Sequence, residues 1–160
     1  MKISPRAAVW LRMALRDRDA ADVMRSGRFY DVAAYHLHQA IEKMLKALLL
    51  NESLEPPRTH DLAKLHRILA HSLHAQDQQD EKISSVLRRV SIFHVMARYP
   101  MVDETTAPED WITEEDVALA ASAWEAVSEM AARIFGVSDI HEARRFVTAM
   151  KDMGDGEFRP

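Results

Sequence analysis

The stretch Arg28-Phe29-Tyr30-Asp31-Val32-Ala33-Ala34-Tyr35-His36-Leu37-His38-Gln39-Ala40-Ile41-Glu42-Lys43-Met44-Leu45-Lys46-Ala47-Leu48-Leu49-Leu50 decides the fold. Phe29, Ala33, Leu37, Ala40, Ile41, Met44 and Leu48 recur in it at steps of three and four residues, the spacing that gathers side chains on one face of an α-helix. His38, Glu42 and Lys46 succeed one another at four-residue steps on another side. There Glu42 ahead of Lys46 is expected to add a few tenths of a kcal/mol as an ordinary helix ion pair. Pro56-Pro57, in the segment Asn51 to Thr59, rules out a continuing helix.

Similar signals extend to both sides. Ser4-Pro5 is a helix start, with serine as cap and proline where its missing N–H costs nothing. Ala8, Leu11, Ala14 and Leu15 continue that helix towards Gly27. Thr59 or Asp61 caps a third helix carrying Leu62, Leu65, Ile68, Leu69 and Leu73, and His74 to Asp80 reads as a connection. A fourth helix carries Ile83, Val86, Leu87, Val90, Phe93 and Ala97 and stops at Pro100, before an irregular acidic loop from Met101 to Asp110. Thr113 with Asp116 makes a capping box for a fifth helix through Val117, Ala120, Trp124, Val127, Ala131 and Ile134, closed by Gly136. A short last helix spans about Asp139 to Lys151.

Amphipathic helices of this length bury their stripes on one another. The expected architecture is therefore all-α: an antiparallel up-and-down bundle of four to five main helices with a short C-terminal helix. It forms a single domain over residues 1–152, with 153–160 as a flexible tail. The chain has 160 residues, enough for one sizeable core. It has no cysteine, which excludes disulfides, thiolate nucleophiles and cysteine-based zinc sites. Its net charge of −4 excludes a whole-molecule field that would attract nucleic acid, so any such binding must come from a local patch. The apolar runs are too short to span a membrane and the N-terminus lacks a signal-peptide block, so the expected location is the cytoplasm.

Four blocks in order carry a resemblance. Tyr30 to Leu49, with its Gln39-Ala40 and Glu42-Lys43, resembles the second helix of HEPN-domain proteins. Pro57-Arg58-Thr59-His60-Asp61-Leu62 resembles that family's His-Asp-Leu opening of the third helix, Ala97-Arg98-Tyr99-Pro100 its Arg-Tyr-Pro helix end, and Thr113 to Val117 the start of its final long helix. The match runs from about Trp10 to Phe135. It implies a helical bundle, frequently a homodimer. It also implies one of several activities: metal-independent ribonucleases, often toxins of toxin–antitoxin pairs partnered by a minimal nucleotidyltransferase, or non-catalytic nucleotide- or RNA-binding members.

The ribonuclease branch carries an arginine, then four to six intervening residues, then a histidine, and both Arg88 and Arg89 stand in that window ahead of His94. Histidine moves protons near neutrality and arginine clamps phosphate. On an unbroken helix, however, Arg89 lies about 140° and Arg88 about 120° around from His94. Val90 also follows Arg89, where a polar residue is preferred. The competing reading makes His94 a partly buried core or interface histidine and the two arginines surface cations. Arg98, one turn beyond His94, points the same way and suits a shared site better. Arg98 with Tyr99 reads as a phosphate contact beside a base-stacking ring, or as a salt bridge beside a half-buried aromatic.

His36, Gln39 and Lys43 share a face and either line a polar groove for a nucleotide or form a hydrogen-bond network between helices. In His60-Asp61 the aspartate is explained as a helix cap. His71 and His74 have no evident third ligand, so no metal site is expected, and no glycine-rich phosphate loop occurs. No cofactor is expected.

Three functions remain open from sequence. The first is a nucleotide- or RNA-binding accessory protein, homodimeric and paired with a nucleotidyltransferase-like partner. The second is a metal-independent endoribonuclease of the same fold, and the third is a non-catalytic helical interaction module.

Overall fold

The computed structural model describes residues 2–73, 78–100 and 104–154. Among them all regular structure is helical: α1 (Pro5–Ser26), α2 (Tyr30–Asn51), α3 (Leu62–Ser72), α4 (Gln78–Ser91), α5 (Phe93–Met96), α6 (Glu114–Phe135) and α7 (Ile140–Gly154), with one 3₁₀ turn at Pro108–Asp110. The expected bundle is thus observed, with a joint inside its fourth helix. No helix among the described residues is long and apolar enough to cross a membrane.

Local chemistry sets the helix ends. The Ser4 hydroxyl accepts from the Ala7 N–H at 3.2 Å with Pro5 at the first position. Of the two candidate caps for α3 it is Asp61 that serves, accepting from the Lys64 N–H at 2.9 Å. Thr113 and Asp116 form the reciprocal capping box. Gly136, at φ 68°, takes the left-handed conformation that ends α6. The Val137 N–H then reaches the Ala132 carbonyl at 3.0 Å. The start of α4 at Gln78 shortens the expected His74–Asp80 connection, whose positions 74–77 lie outside the described residues. So do positions 101–103 of the acidic loop and 155–160 of the expected tail, whereas α7 continues through the tail's first two positions.

The core is organised around α2, which packs against α1, α3, α5 and α6. This contact on several sides explains why its C-terminal half is buried nearly all round: Leu45, Ala47, Leu48 and Leu49 are sealed along with the stripe residues Ile41 and Met44. The same enclosure takes in His38, Glu42 and Lys46, at 0%, 4% and 9% exposure. The expectation of an ordinary surface ion pair at Glu42 and Lys46 is corrected accordingly. The column is polar, yet the elements packed around α2 leave it almost no solvent.

The fourth expected helix breaks at Ile92. The Ser91 hydroxyl donates back to the Leu87 carbonyl at 2.8 Å and accepts the Leu62 N–H, the first of α3, at 3.0 Å. A serine bonded back one turn in this way bends a helix. Beyond the joint three-residue steps, Val95 N–H to Ile92 carbonyl and Arg98 N–H to Val95 carbonyl, mix with four-residue steps, Met96 N–H to Ile92 carbonyl and Ala97 N–H to Phe93 carbonyl. Ala97, Val90, Leu87 and Phe93 remain buried, so the apolar stripe survives the bend.

Leu48, with no exposed surface, makes the core test. Leu48→Ala is expected to lower unfolding free energy by about 2–5 kcal/mol, against about 1 kcal/mol for the cap variant Asp61→Ala. Urea denaturation of both checks the ranking.

Candidate functional site

Where α2, the segment before α3, and α5 meet, three histidines and a glutamate come together. From α2, His38 and Glu42 face inward one turn apart. His60 arrives from the loop two residues ahead of Leu62, and His94 from the second residue of α5. The His60 and His94 rings stack, centroids 3.7 Å apart and planes 13° from parallel, and the His38 ring lies 5.5 Å from that of His94. Arg98 folds back over the outer edge. Its Nε donates to the His94 carbonyl at 2.8 Å and its Nη2 to His94 Nε2 at 3.2 Å. The guanidinium carbon sits 5.1 Å from the ring centres of both Tyr35 and Tyr99. Arg98 and Tyr99 are exposed, and His94 is partly buried.

The hydrogen bonds assign the protons. Arginine only donates, so His94 Nε2 accepts and a neutral His94 carries its proton on Nδ1. That Nδ1 is buried without a hydrogen-bond partner. His38 Nε2 lies 3.1 Å from the His60 backbone oxygen, an acceptor, so His38 donates there and turns its Nδ1 lone pair towards Glu42 Oε2, 3.8 Å away. The Gln39 amide approaches the same Nδ1 at 3.4 Å. Glu42 accepts from Lys46 Nζ at 2.7 Å on Oε1 and from His60 Nδ1 at 3.0 Å on Oε2. Lys46 in turn lies 5.5 Å over the Trp10 ring of α1.

Burial pushes His38 down to about 4, with the Glu42 charge and the His60 carbonyl opposing it, so the ring is neutral at neutral pH. Burial also lowers His94, reinforced by His60 and Arg98. Burial would raise Glu42, but the hydrogen bonds from Lys46 and His60 outweigh it and hold the carboxyl below its usual range. The centre therefore offers a neutral imidazole, a guanidinium beside it, one exposed and one half-buried tyrosine ring, and an ionised carboxylate beneath.

The whole bundle from α1 through nearly all of α6 matches the HEPN domain model, over residues 7–134. The chain belongs to the HEPN domain family. Its fold is that of the crystal structure of ST0689, an archaeal HEPN homologue, with a TM-score of 0.63 at 23% identity, covering 80% of this chain and 97% of that one. It is also similar to a Methanocaldococcus jannaschii protein named "Putative toxin MJ1304", 26% identical over 115 residues, which are 69% of this chain and 75% of the relative.

Within this HEPN domain the residues singled out from sequence fall into three groups. His94, Arg98 and Tyr99 share one surface, while Arg88 and Arg89 are exposed on α4 and the hydrogen bond to the His94 ring comes from Arg98 instead. His36 and Lys43 both bind Asp17 of α1, His36 Nδ1 at 3.0 Å, in a link between helices, whereas Gln39 turns towards His38. His38, Glu42 and His60 were not among the expected site residues. The available signal was a polar column at four-residue steps inside a helix otherwise apolar on most sides.

A buried neutral histidine carries a signed pH dependence. Between the unfolded value near 6.5 and the folded value of about 4, the unfolded chain binds the extra proton. Stability from His38 is thus complete above about pH 6.5 and falls as pH drops, by on the order of 3 kcal/mol. Urea unfolding at pH 7 and pH 4.5 is expected to show this loss in the wild type and a clearly smaller one in His38→Gln. Equal losses in both would assign the acid sensitivity elsewhere.

Proposed function

We propose that the surface formed by His94, Arg98, Tyr99 and Tyr35 binds RNA and that His94 cleaves it, making the protein a toxin-like endoribonuclease that needs no metal for the chemical step. The observation that carries this reading is the 3.2 Å contact between Arg98 Nη2 and His94 Nε2 at the solvent edge. It pairs a proton carrier in its neutral form with an exposed cation, the two groups phosphodiester cleavage requires.

In the proposed step a phosphate oxygen draws Arg98 off His94, which frees the Nε2 lone pair. Nε2 takes the proton of the ribose 2′-hydroxyl, whose oxygen attacks the adjacent phosphorus. The bond to the 5′ oxygen breaks, and that oxygen is protonated from solvent. The products are a 2′,3′-cyclic phosphate and a 5′-hydroxyl end. Arg98 offsets the charge on the non-bridging oxygens, and Tyr99, 54% exposed, is placed to stack on a base. The toxin name of the archaeal relative favours this reading. A homodimer and a nucleotidyltransferase-like partner that restrains the activity fit it as well.

A second reading rests on the same contact. If Arg98 never leaves His94, the surface binds RNA or nucleotide without cutting it, as an accessory protein.

Labelled single-stranded RNA incubated with the protein in EDTA separates the two. Cleavage is expected, reduced at least about a hundredfold in His94→Ala and in Arg98→Ala, and retained in Arg88→Ala and Arg89→Ala. Because His94 titrates below the ordinary histidine value, the rate should rise with pH and reach its plateau by neutrality. Cleavage unchanged in His94→Ala would sink the catalytic assignment, and tight binding without any cleavage would establish the second reading.

A further inference from the structure

On the inner side of the same histidine cluster an unpartnered nitrogen meets a pair of facing acceptors, of which His38 Nδ1 has only the long 3.4 Å approach of the Gln39 amide. The Nδ1 of His94 is buried with no hydrogen-bond partner. The Nδ1 lone pair of His38 faces a carboxylate oxygen that is itself an acceptor. The two acceptors, His38 Nδ1 and Glu42 Oε2, cannot satisfy each other. A cation that takes the place of the His94 Nδ1 proton would be bound by all three groups.

We propose that His38 Nδ1, Glu42 Oε2 and His94 Nδ1 form a binding site for one zinc-type divalent ion, with the fourth position open to water. One ligand atom from each of His38, Glu42 and His94 lies within 4.8 Å of the other two, and His38 Nδ1 and Glu42 Oε2 are 3.8 Å apart. A tetrahedral zinc ion with bonds near 2.1 Å holds its ligands about 3.4 Å apart, so a modest contraction assembles the set. Most of that movement falls to His94, which sits on a four-residue helix beyond the Ser91 joint. Two imidazoles and one carboxylate suit zinc over magnesium, which prefers oxygen.

The surroundings have the form of a metal site's outer shell. His38 donates its other ring N–H to the His60 carbonyl, the bond that fixes a ligating histidine's tautomer. His60 donates to Glu42 Oε2, and Lys46 occupies the far oxygen, Oε1, which orients the carboxylate. Lys46 and Arg98 are the cations nearest the site and repel the ion, which sets the affinity in the micromolar range rather than tighter.

Occupancy has a chemical consequence. Metal on His94 Nδ1 moves the ring proton to Nε2, so Nε2 becomes a donor and can no longer accept from Arg98. The ion thereby releases Arg98 to solvent and removes the lone pair that the proposed cleavage uses. The site itself does not depend on the ribonuclease reading.

The test uses the full-length protein stripped with EDTA. Calorimetric titration with Zn²⁺ is expected to show one equivalent bound, with a rise in Tm, and Mg²⁺ is expected to show neither. Co²⁺ should give the intense visible absorption of a four-coordinate site. His94→Ala, a change at a partly exposed ring that leaves the fold intact by circular dichroism, should weaken Zn²⁺ binding at least about tenfold and abolish the cobalt band. Glu42→Gln should do the same, and ¹⁵N-detected tautomer analysis should show the His94 proton moving to Nε2 on zinc addition. Absence of stoichiometric binding overturns the proposal. So does binding of unchanged strength in His94→Ala, which would place the ion on surface histidines such as His71 and His141. None of these readouts requires RNA cleavage, so failure of that activity leaves the metal test intact.

Discussion

A carboxylate enclosed in the middle of the central helix governs the arrangement of this site. Glu42 has almost no exposure and is nevertheless held in its charged form, so the structure must supply what water would have supplied. Lys46 supplies it on one oxygen and His60 on the other. Each of these groups is then bound to a position. Lys46 stays beside Trp10 of α1, and His60 stays over the middle of α2, where its carbonyl holds His38. Removing either donor from Glu42 leaves an inadequately compensated buried charge, a far larger penalty than an exposed ion pair can offer. The cluster is therefore cooperative, and the stacked rings of His60 and His94 close it from outside.

Much of the fold was legible because it rests on local rules. Ser4, Asp61, Thr113 and Gly136 each act at the helix end where residue type alone placed them, and the apolar periodicities of α1, α2, α3 and α6 name most of the core. The site was legible only in its outer part. His94, Arg98 and Tyr99 could be grouped because four- and five-residue separations on one chain segment restrict where they point. His60 and His94 are thirty-four positions apart, and no periodicity relates them. Glu42 and Lys46 carry the signature of a solvent-facing pair, and only the number of helices packed on α2 converts it into an interior one. Burial of a polar residue is a property of its neighbours, which a single helix pattern does not contain.

The joint at Ile92 shows a different limit. Angles counted around an ideal helix separate Arg88 and Arg89 from His94, and both arginines are indeed exposed on α4 while His94 faces the cluster. The counting nonetheless assumes one continuous helix, and the break after Ser91 ends that assumption just before the candidate residues begin. The family resemblance pointed to the block Arg98-Tyr99-Pro100 without supplying the reason for its position, which is the short helix that turns it towards α2.

The Ser91 hydroxyl has one further significance. It is held by the Leu87 carbonyl and itself holds the first N–H of α3, so a single oxygen joins the frames that carry the two stacked rings, His60 two residues before Leu62 and His94 three residues after Ser91. The alignment of the rings is in that sense a mechanical tolerance fixed by a rivet outside the chemistry. A molecule built this way can realign its histidine cluster by loosening a fastening while leaving every side chain of the cluster as it was.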